Sequence, residues 1–228
     1  MPTYNELDNI KEIIPDILNR HENLDILIVD DNSPDGTGEY INKLSQRDNR
    51  IHFISRPAKM GLGTAYVEGF KFALKENYDL IFEMDADYSH DPKEIKKLLQ
   101  AAAVYDLVIG SRYIKSAKTI NWPKARLLLS RFGNFYARIT TRLPVRDATS
   151  GFRCFKKKVI ESLDFSRIKS NGFAFQIEIA FRVWKNGFKI GEIPITFTGR
   201  KTGDSKLSLK IIIEGILTVW NLKHNQPL

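Results

Sequence analysis

Cysteine appears once in 228 residues, at Cys154, so no internal disulfide can staple the fold. No apolar run approaches the roughly 18 residues of a membrane span, and no stretch reads as a secretory signal. A cytoplasmic chain that spans nothing is the expectation. Repeats and low-complexity linkers are missing as well. The four histidines, His90 among them, have no paired metal-ligand spacing and read as structural or solvated groups. Acidic residues are the minority charge, 27 against 35 Lys and Arg, giving a formal net charge of +8. That sign suggests an anionic partner: nucleic acid, an acidic membrane surface or phosphorylated small molecules.

Hydrophobic residues make up 43% of the chain, enough for a proper core, and one domain over residues 1–228 is expected. Residues 1–112 alternate strand-like and helix-like segments in βαβ fashion, which implies an α/β fold with a mainly parallel central sheet flanked by helices. "LDILIVDDNSPDGT" reads as a strand, Leu24 to Val29, running into strong turn chemistry. A helix from Gly36 to Gln46, the strand "IHFIS" and a helix from about Thr64 to Lys75 follow. "YDLIFEMDAD" and "YDLVIGSR" are two further buried strands, with a helix from Pro92 to Ala103 between them. Open parallel sheets bind ligands beyond the carboxyl ends of their strands, so Asp30, Asp31, Asp85, Asp87, Ser111 and Arg112 should gather at one edge.

Residues 113–228 read as the acceptor half. Its segments "KARLLLSRFGNFYARITTRL" and "LSLKIIIEGILTVWNLK" mix apolar runs with Lys and Arg, which suits helices lying in a membrane interface or ordinary amphipathic packing on a core. Phe132, Phe135, Tyr136 and Trp220 are the lipid-side candidates in the first case. At the other end, "MPTYNE" places Pro2 and a helix-capping Asn5 where an inner strand should just have ended. The first strand is therefore expected to be missing. The helix from Asn5 to about Arg20 should be shortened or bent by Pro15.

"IFEMDADYSHDP" carries Asp85, Asp87 and Asp91 within seven positions. Their repulsion costs stability unless a cation, a turn or solvent takes up the charge. Asp85 and Asp87, one residue apart at a strand end, can point at one divalent cation, and hard Mg²⁺ or Mn²⁺ favours such oxygens together with phosphate. A solvated acidic turn is the alternative, which the second acidic strand end, "VDDNSPD", argues against. Of Asp30 and Asp31, one should meet a base or ribose while the other supports the loop. The glycines of "MGLGTA" read as structural, because the full dinucleotide fingerprint is absent.

Taken in order, "PTYNE", "IVDDNSPDGT", "KMGLGTA", "MDADYSHDP", "GSRY", "NWP", "SGFR" and "GRKTGDSKLS" make the chain resemble the dolichol-phosphate (polyprenol-phosphate) mannosyltransferases. These are inverting members of glycosyltransferase family 2 with the Rossmann-like GT-A fold. The resemblance implies Mg²⁺ or Mn²⁺, GDP-mannose as donor and a dolichyl or polyprenyl phosphate as acceptor. It implies peripheral contact with the cytoplasmic face of a membrane, leaves room for a membrane-anchoring subunit, and gives no role to nucleic acid. Carried over by position, it puts Pro2, Tyr4, Glu6, Val29, Asp31 and Ala86 around the nucleotide, with Asp85 and Asp87 on the metal. Ser89 stands where some relatives carry a glutamine metal ligand. Arg112, Arg126 and Ser130 match positions that meet the acceptor phosphate, Arg112 also reaching the nucleotide-sugar, and Arg200 and Lys206 match positions around the phosphates.

The chemistry agrees. A departing nucleoside diphosphate gains negative charge that a metal and cations neutralise. A phosphate monoester acceptor, with a second pKa near ~6, needs no base, so Asp87, Arg112 and Arg126 are the expected catalytic groups, and Asp147→Asn should be mild. A hydroxyl acceptor would need a carboxylate, and Asp147 is where one would be sought. A UDP-sugar donor or hydroxyl acceptor is the nearer rival. A noncatalytic basic module that binds anions leaves the acidic strand ends unexplained.

Overall fold

The computed structural model of the chain describes residues 1–168, 170–199 and 209–224, with side chains in the last stretch described from Ile213 onward. Its strands are β1 (Pro2–Thr3), β2 (Ile26–Asp30), β3 (Ile51–Ser55), β4 (Leu80–Glu83), β5 (Leu107–Ser111), β6 (Lys118–Ile120), β7 (Arg153–Lys156), β8 (Ile190–Pro194) and β9 (Thr196–Thr198). The helices are α1 (Leu7–Arg20), α2 (Thr37–Ser45), α3 (Leu62–Lys75), α4 (Ile95–Ala102), α5 (Lys124–Thr141), α6 (Lys157–Glu161), α7 (Gly172–Lys185) and α8 (Leu209–His224).

The strands pair in the order β1-β2-β3, all parallel, and β4-β7-β5-β8, with a small parallel pair β6-β9. Strand β7 runs antiparallel to both β4 and β5, while β5 and β8 are parallel. Alternation along the strands divides the core. Leu107 and Ile109 join a cluster with α3, α5 and α7, whereas Val108 joins the cluster beneath α1, α2 and α4, as the period of two requires. Helix α1 buries Ile10, Ile13, Ile14, Ile17 and Leu18, the spacing of a single apolar stripe.

Two expectations about the start need correction. The first strand is present in part: Pro2 and Thr3 pair with Val29 and Asp30, and the N–H of Val29 donates to the carbonyl of Met1 at 3.0 Å. Toward the beginning of β2 this ladder gives way to a cavity of about 520 Å³, walled by Ile26 and Leu27 on one side and Leu80, Ile81 and Phe82 on the other. Asn5 is not the cap of α1. It adopts a left-handed φ of 59° and donates its N–H to Ser33, while the carboxylate of Asp35 accepts the N–H of Leu7 at 3.1 Å. The helix then runs through Pro15 without interruption.

Candidate active site

The carboxyl ends of β2, β4 and β5 bring the acidic loops and Arg112 to one edge. Asp30 is structural: it accepts from the hydroxyl of Thr3 and from both the N–H and hydroxyl of Ser33. Asp31 pairs with the buried guanidinium of Arg56 and accepts the N–H of Gly61. Arg56 also donates to the Thr64 hydroxyl and the Gly61 carbonyl, so the 56–61 loop is latched to the end of β2. Gly61 holds a φ of +98°, and a Cβ on Gly63 would lie 2.9 Å from Phe175 and from the Ser170 carbonyl. Both glycines are required by shape. Above this floor stand Pro2, in register with Val29, and Tyr4, whose ring lies 4.0 Å from the Lys59 ammonium. Glu6 accepts from the Asn9 amide at 2.7 Å.

After β4 the chain turns through Asp85, Ala86 and Asp87. Tyr88 takes a left-handed φ of 57°, and Asp87 accepts the N–H of Ser89 at 3.0 Å. That turn buries Asp87 and Ala86 and leaves Asp85 half-buried beside Gly151. The Ser89 hydroxyl is buried with no hydrogen-bond partner among the described residues. Two carboxylates and an orphaned hydroxyl form an oxygen-only donor set, which suits a hard divalent cation. His90 does not compete for it. Its ring stacks on Phe152 at 5.0 Å, and burial pulls its pKa down to about 4, so the imidazole is neutral.

Behind the acidic turn lies a fully buried pair that sequence reading missed. Glu83 and Arg153 are 4.0 Å apart, and burial pushes the Glu83 pKa up to about 7 against the pull of Arg153. Arg153 donates to the carbonyls of Ala148, Ser150 and Gln176, and so fixes the loop that precedes β7. "SGFR" marks this arginine, but its partners Gln176 on α7 and Glu83 on β4 are 23 residues away or more, beyond the reach of local pattern.

That loop carries Asp147, which is 0% exposed. Its carboxylate accepts from the backbone N–H, Nε and Nη2 of Arg112 at 2.8, 2.8 and 2.7 Å. Burial opposes the charge on Arg112, yet Asp147 outweighs it and holds the guanidinium protonated more firmly than in a free arginine. Two expectations change here. The forked edge of Arg112 lies on Asp147, and Asp147 is no candidate for a base. Glu192 of β8 fixes the same loop by accepting the N–H groups of Arg146 and Asp147.

Arg112 and Arg126 meet at Trp122, with guanidinium carbons 5.4 and 4.8 Å from the indole centre. Ser130, one turn along α5 from Arg126, accepts the Tyr113 hydroxyl at 2.6 Å. Trp122 thus joins Arg112 and Arg126, and Tyr113, 5.2 Å from the Arg112 guanidinium carbon, links Ser130 to Arg112. Arg200 and Lys206 lie outside the described residues. On the opposite side of α5, Leu128, Phe132, Phe135 and Ile139 are exposed, at 67, 68, 55 and 59%. Tyr136 instead turns toward α8 and donates to the Ile216 carbonyl. The exposed apolar residues recur at i, i+4, i+7 and i+11, an apolar stripe facing outward. Helix α8 continues it with Ile213, Ile216, Leu217 and Trp220. No helix among the described residues is long and apolar enough to cross a membrane.

Comparison with known proteins accords with this geometry. The chain is 42% identical over 227 residues to the polyprenol monophosphomannose synthase of Mycolicibacterium smegmatis, covering 98% of this chain and 86% of that protein. It is 39% identical over 224 residues to the undecaprenyl-phosphate mannosyltransferase of Micrococcus luteus, covering 97% and 92%. Among solved structures, glucosyl-3-phosphoglycerate synthase from Mycobacterium tuberculosis, in complex with Mn²⁺ and UDP-glucose, shares the fold with a TM-score of 0.69. The identity there is 16%, over 100% of this chain and 78% of that one. The family model for glycosyl transferase family 2 matches residues 1–164, from β1 through the acidic turn to the Arg153 anchor, and the chain belongs to that family.

Proposed function

We propose that the protein is an inverting, metal-dependent glycosyltransferase that moves mannose from GDP-mannose to a polyprenyl or dolichyl phosphate. The observation that carries this reading is the Arg112–Asp147 fork. A hydroxyl nucleophile must lose a proton to a base. The carboxylate best placed by sequence is buried and committed to three donors from Arg112. A phosphate acceptor is already substantially a dianion near neutral pH and needs cations, which Arg126 supplies beside Trp122, with the Arg112 guanidinium at the same ring. The relatives named as mannosyltransferases of polyprenol and undecaprenyl phosphate support the same acceptor class.

Asp85 and Asp87 would hold Mg²⁺ or Mn²⁺, with the Ser89 hydroxyl as a further oxygen. The ion, when bound, supplies positive charge to the departing diphosphate. Pro2, Tyr4, Glu6, Val29, Asp31 and Ala86 surround the nucleotide, with Arg112 at its sugar end and Arg200 and Lys206 at its phosphates. Arg56 and Asp31 keep the loop beneath the nucleotide closed. Arg126 and Ser130 hold the acceptor phosphate and orient it for attack on the anomeric carbon from the face opposite the leaving group, which inverts configuration. The outward apolar faces of α5 and α8 rest on the cytoplasmic face of the membrane in which the acceptor is anchored, where a membrane-anchoring subunit could also dock.

Transfer of radiolabelled sugar into organic-extractable lipid, across GDP-mannose, UDP-glucose and UDP-N-acetylglucosamine and with or without Mn²⁺, tests the reading. Label from GDP-mannose that requires the metal supports it. Label from a UDP-sugar alone would replace the donor, and label confined to a water-soluble product would remove the lipid acceptor.

A further inference from the structure

A second cavity, of about 330 Å³, opens beside α5 and is lined by Tyr113, Arg131, Asn134, Phe135, Arg138 and Arg146. Half of these residues are arginines and none is acidic. The carboxylates of the adjoining loop and strand are engaged elsewhere: Asp147 accepts from Arg112, and Glu192 accepts the backbone N–H groups of Arg146 and Asp147. Asn134 is buried at the helix side of the cavity. Its amide is already satisfied by the Ser130 carbonyl and by Thr149. Arg131 stands 5.8 Å from the Tyr113 ring centre and Arg138 and Arg146 are exposed, so among the described residues the guanidinium charges are the groups there without a counter-charge. Like charges gathered in one concavity repel and are relieved by an anion. Guanidinium forks match phosphate oxygens.

The position of the cavity indicates which phosphate it takes. Arg131 and Arg138 lie a heptad apart on α5, along one flank of the outward stripe of Leu128, Phe132, Phe135 and Ile139. Phe135 belongs to both the stripe and the cavity wall. An amphipathic helix buries its apolar face about 5–10 Å into the boundary between headgroups and acyl chains. With the stripe at that depth, the mouth of the cavity stands level with the headgroups. We propose that this cavity binds the phosphate of an anionic phospholipid headgroup and thereby seats α5 on the membrane, as a site separate from the one for the acceptor phosphate. The inference rests on the lipid-acceptor reading above and adds a specific anion site to it.

Sedimentation of the full chain with phosphatidylcholine vesicles, with and without phosphatidylglycerol, and with no sugar donor present, reads this site apart from catalysis. Wild type is expected to prefer the phosphatidylglycerol vesicles. The Arg138→Ala/Arg146→Ala double variant should lose about 30-fold in affinity for them, at roughly fivefold per cation near an anionic surface, and fall to the wild-type level on phosphatidylcholine. A Lys71→Ala/Lys96→Ala variant removes the same charge from exposed positions on α3 and α4 and should lose much less. The single variant Arg138→Gln, on an exposed helical position, should show an intermediate loss.

Equal losses from the arginine and lysine pairs would overturn the site in favour of diffuse charge, as would unchanged binding of the arginine variant. A raised apparent KM of the arginine variant for short-chain polyprenyl phosphate in detergent, without vesicles, would overturn it in favour of the acceptor phosphate. Failure of the mannosyl-transfer reading appears only in the transfer assay, so the two outcomes remain separable.

Discussion

The Nε and Nη2 of Arg112 both donate to the carboxylate of Asp147, at 2.8 and 2.7 Å, in a position where the aspartate is wholly shielded from water. The pair ties the end of β5 to the loop that leads into β7. Glu192 and Arg153 brace the same loop through its backbone N–H and carbonyl groups. A residue that sequence alone offers as a proton acceptor is therefore the counter-ion of a buried cation.

Asp147→Asn removes that counter-ion and leaves a guanidinium buried without compensation. Breaking a buried pair from one side costs about 3–5 kcal/mol, so urea unfolding should show a loss of this order, a cost to stability distinct from the mild effect on transfer expected from sequence, which concerned only proton removal. Stability within about 1 kcal/mol of wild type would mean that solvent reaches Arg112.

Removing a metal-turn carboxylate should act on turnover and not on folding. Asp87→Ala is expected to abolish transfer, and Asp85→Ala to be slightly less severe, because each takes one of two charged oxygens from the cation while relieving repulsion in the metal-free protein. Circular dichroism and unfolding midpoints should stay near wild type, and Mn²⁺-enhanced water relaxation should weaken for both variants. Full activity in EDTA, or from the Asp87→Ala protein, contradicts the metal assignment.

Cys154 should resist thiol reagents. It is buried on β7 inside the core beneath α4, and burial pushes its pKa up to about 12. The reactive thiolate is then scarce at pH 8 even where reagent could reach it. Native protein treated with a disulfide chromophore should label only as fast as it opens, and unfolding in urea should make the reaction immediate. Rapid stoichiometric labelling of the native chain would show that β7 is exposed.

Elements with strong local periodicity were legible in the sequence. The strand "IHFIS" matches β3, and the helices expected at Thr64–Lys75 and Pro92–Ala103 appear as α3 and as α4 behind a short 3₁₀ turn. Asp85, Asp87 and Arg112 could be placed at the sheet edge because each follows a short buried strand, whereas Arg126 and Ser130 were reached only through the family resemblance. Strand β7 and its antiparallel pairing were not visible, since "RCFK" is too short to show alternation and its partners come from β4 and β5. The cap of α1 was misplaced for the same reason: Asp35 serves it from 28 positions away. Arg56, Glu83, Arg153 and Glu192 act through partners distant in sequence, and periodicity carries no signal for such pairs.

Arg126 offers a cleaner test of acceptor chemistry than Arg112, because replacing Arg112 also strips Asp147 of its partner and confounds stability with function. The Arg126 guanidinium stands 4.8 Å from the Trp122 ring, one turn before Ser130 on α5. Lysine at this position keeps the charge but loses both the planar stack and the fork. If the nucleophile is an ionised phosphate held there, Arg126→Lys should raise the apparent KM for lipid phosphate by about tenfold or more, the scale of one charge-assisted hydrogen bond. Nucleotide affinity, read by thermal shift, should stay within about twofold of wild type, because the residues proposed around the nucleoside lie on or follow β1 and β2 or sit in the turn after β4, and do not include Arg126. Trp122→Leu, which removes the platform and leaves both arginines, should weaken the acceptor in the same direction. A loss confined to nucleotide binding in Arg126→Lys would move this arginine to the donor phosphates and leave the acceptor phosphate without its principal cation.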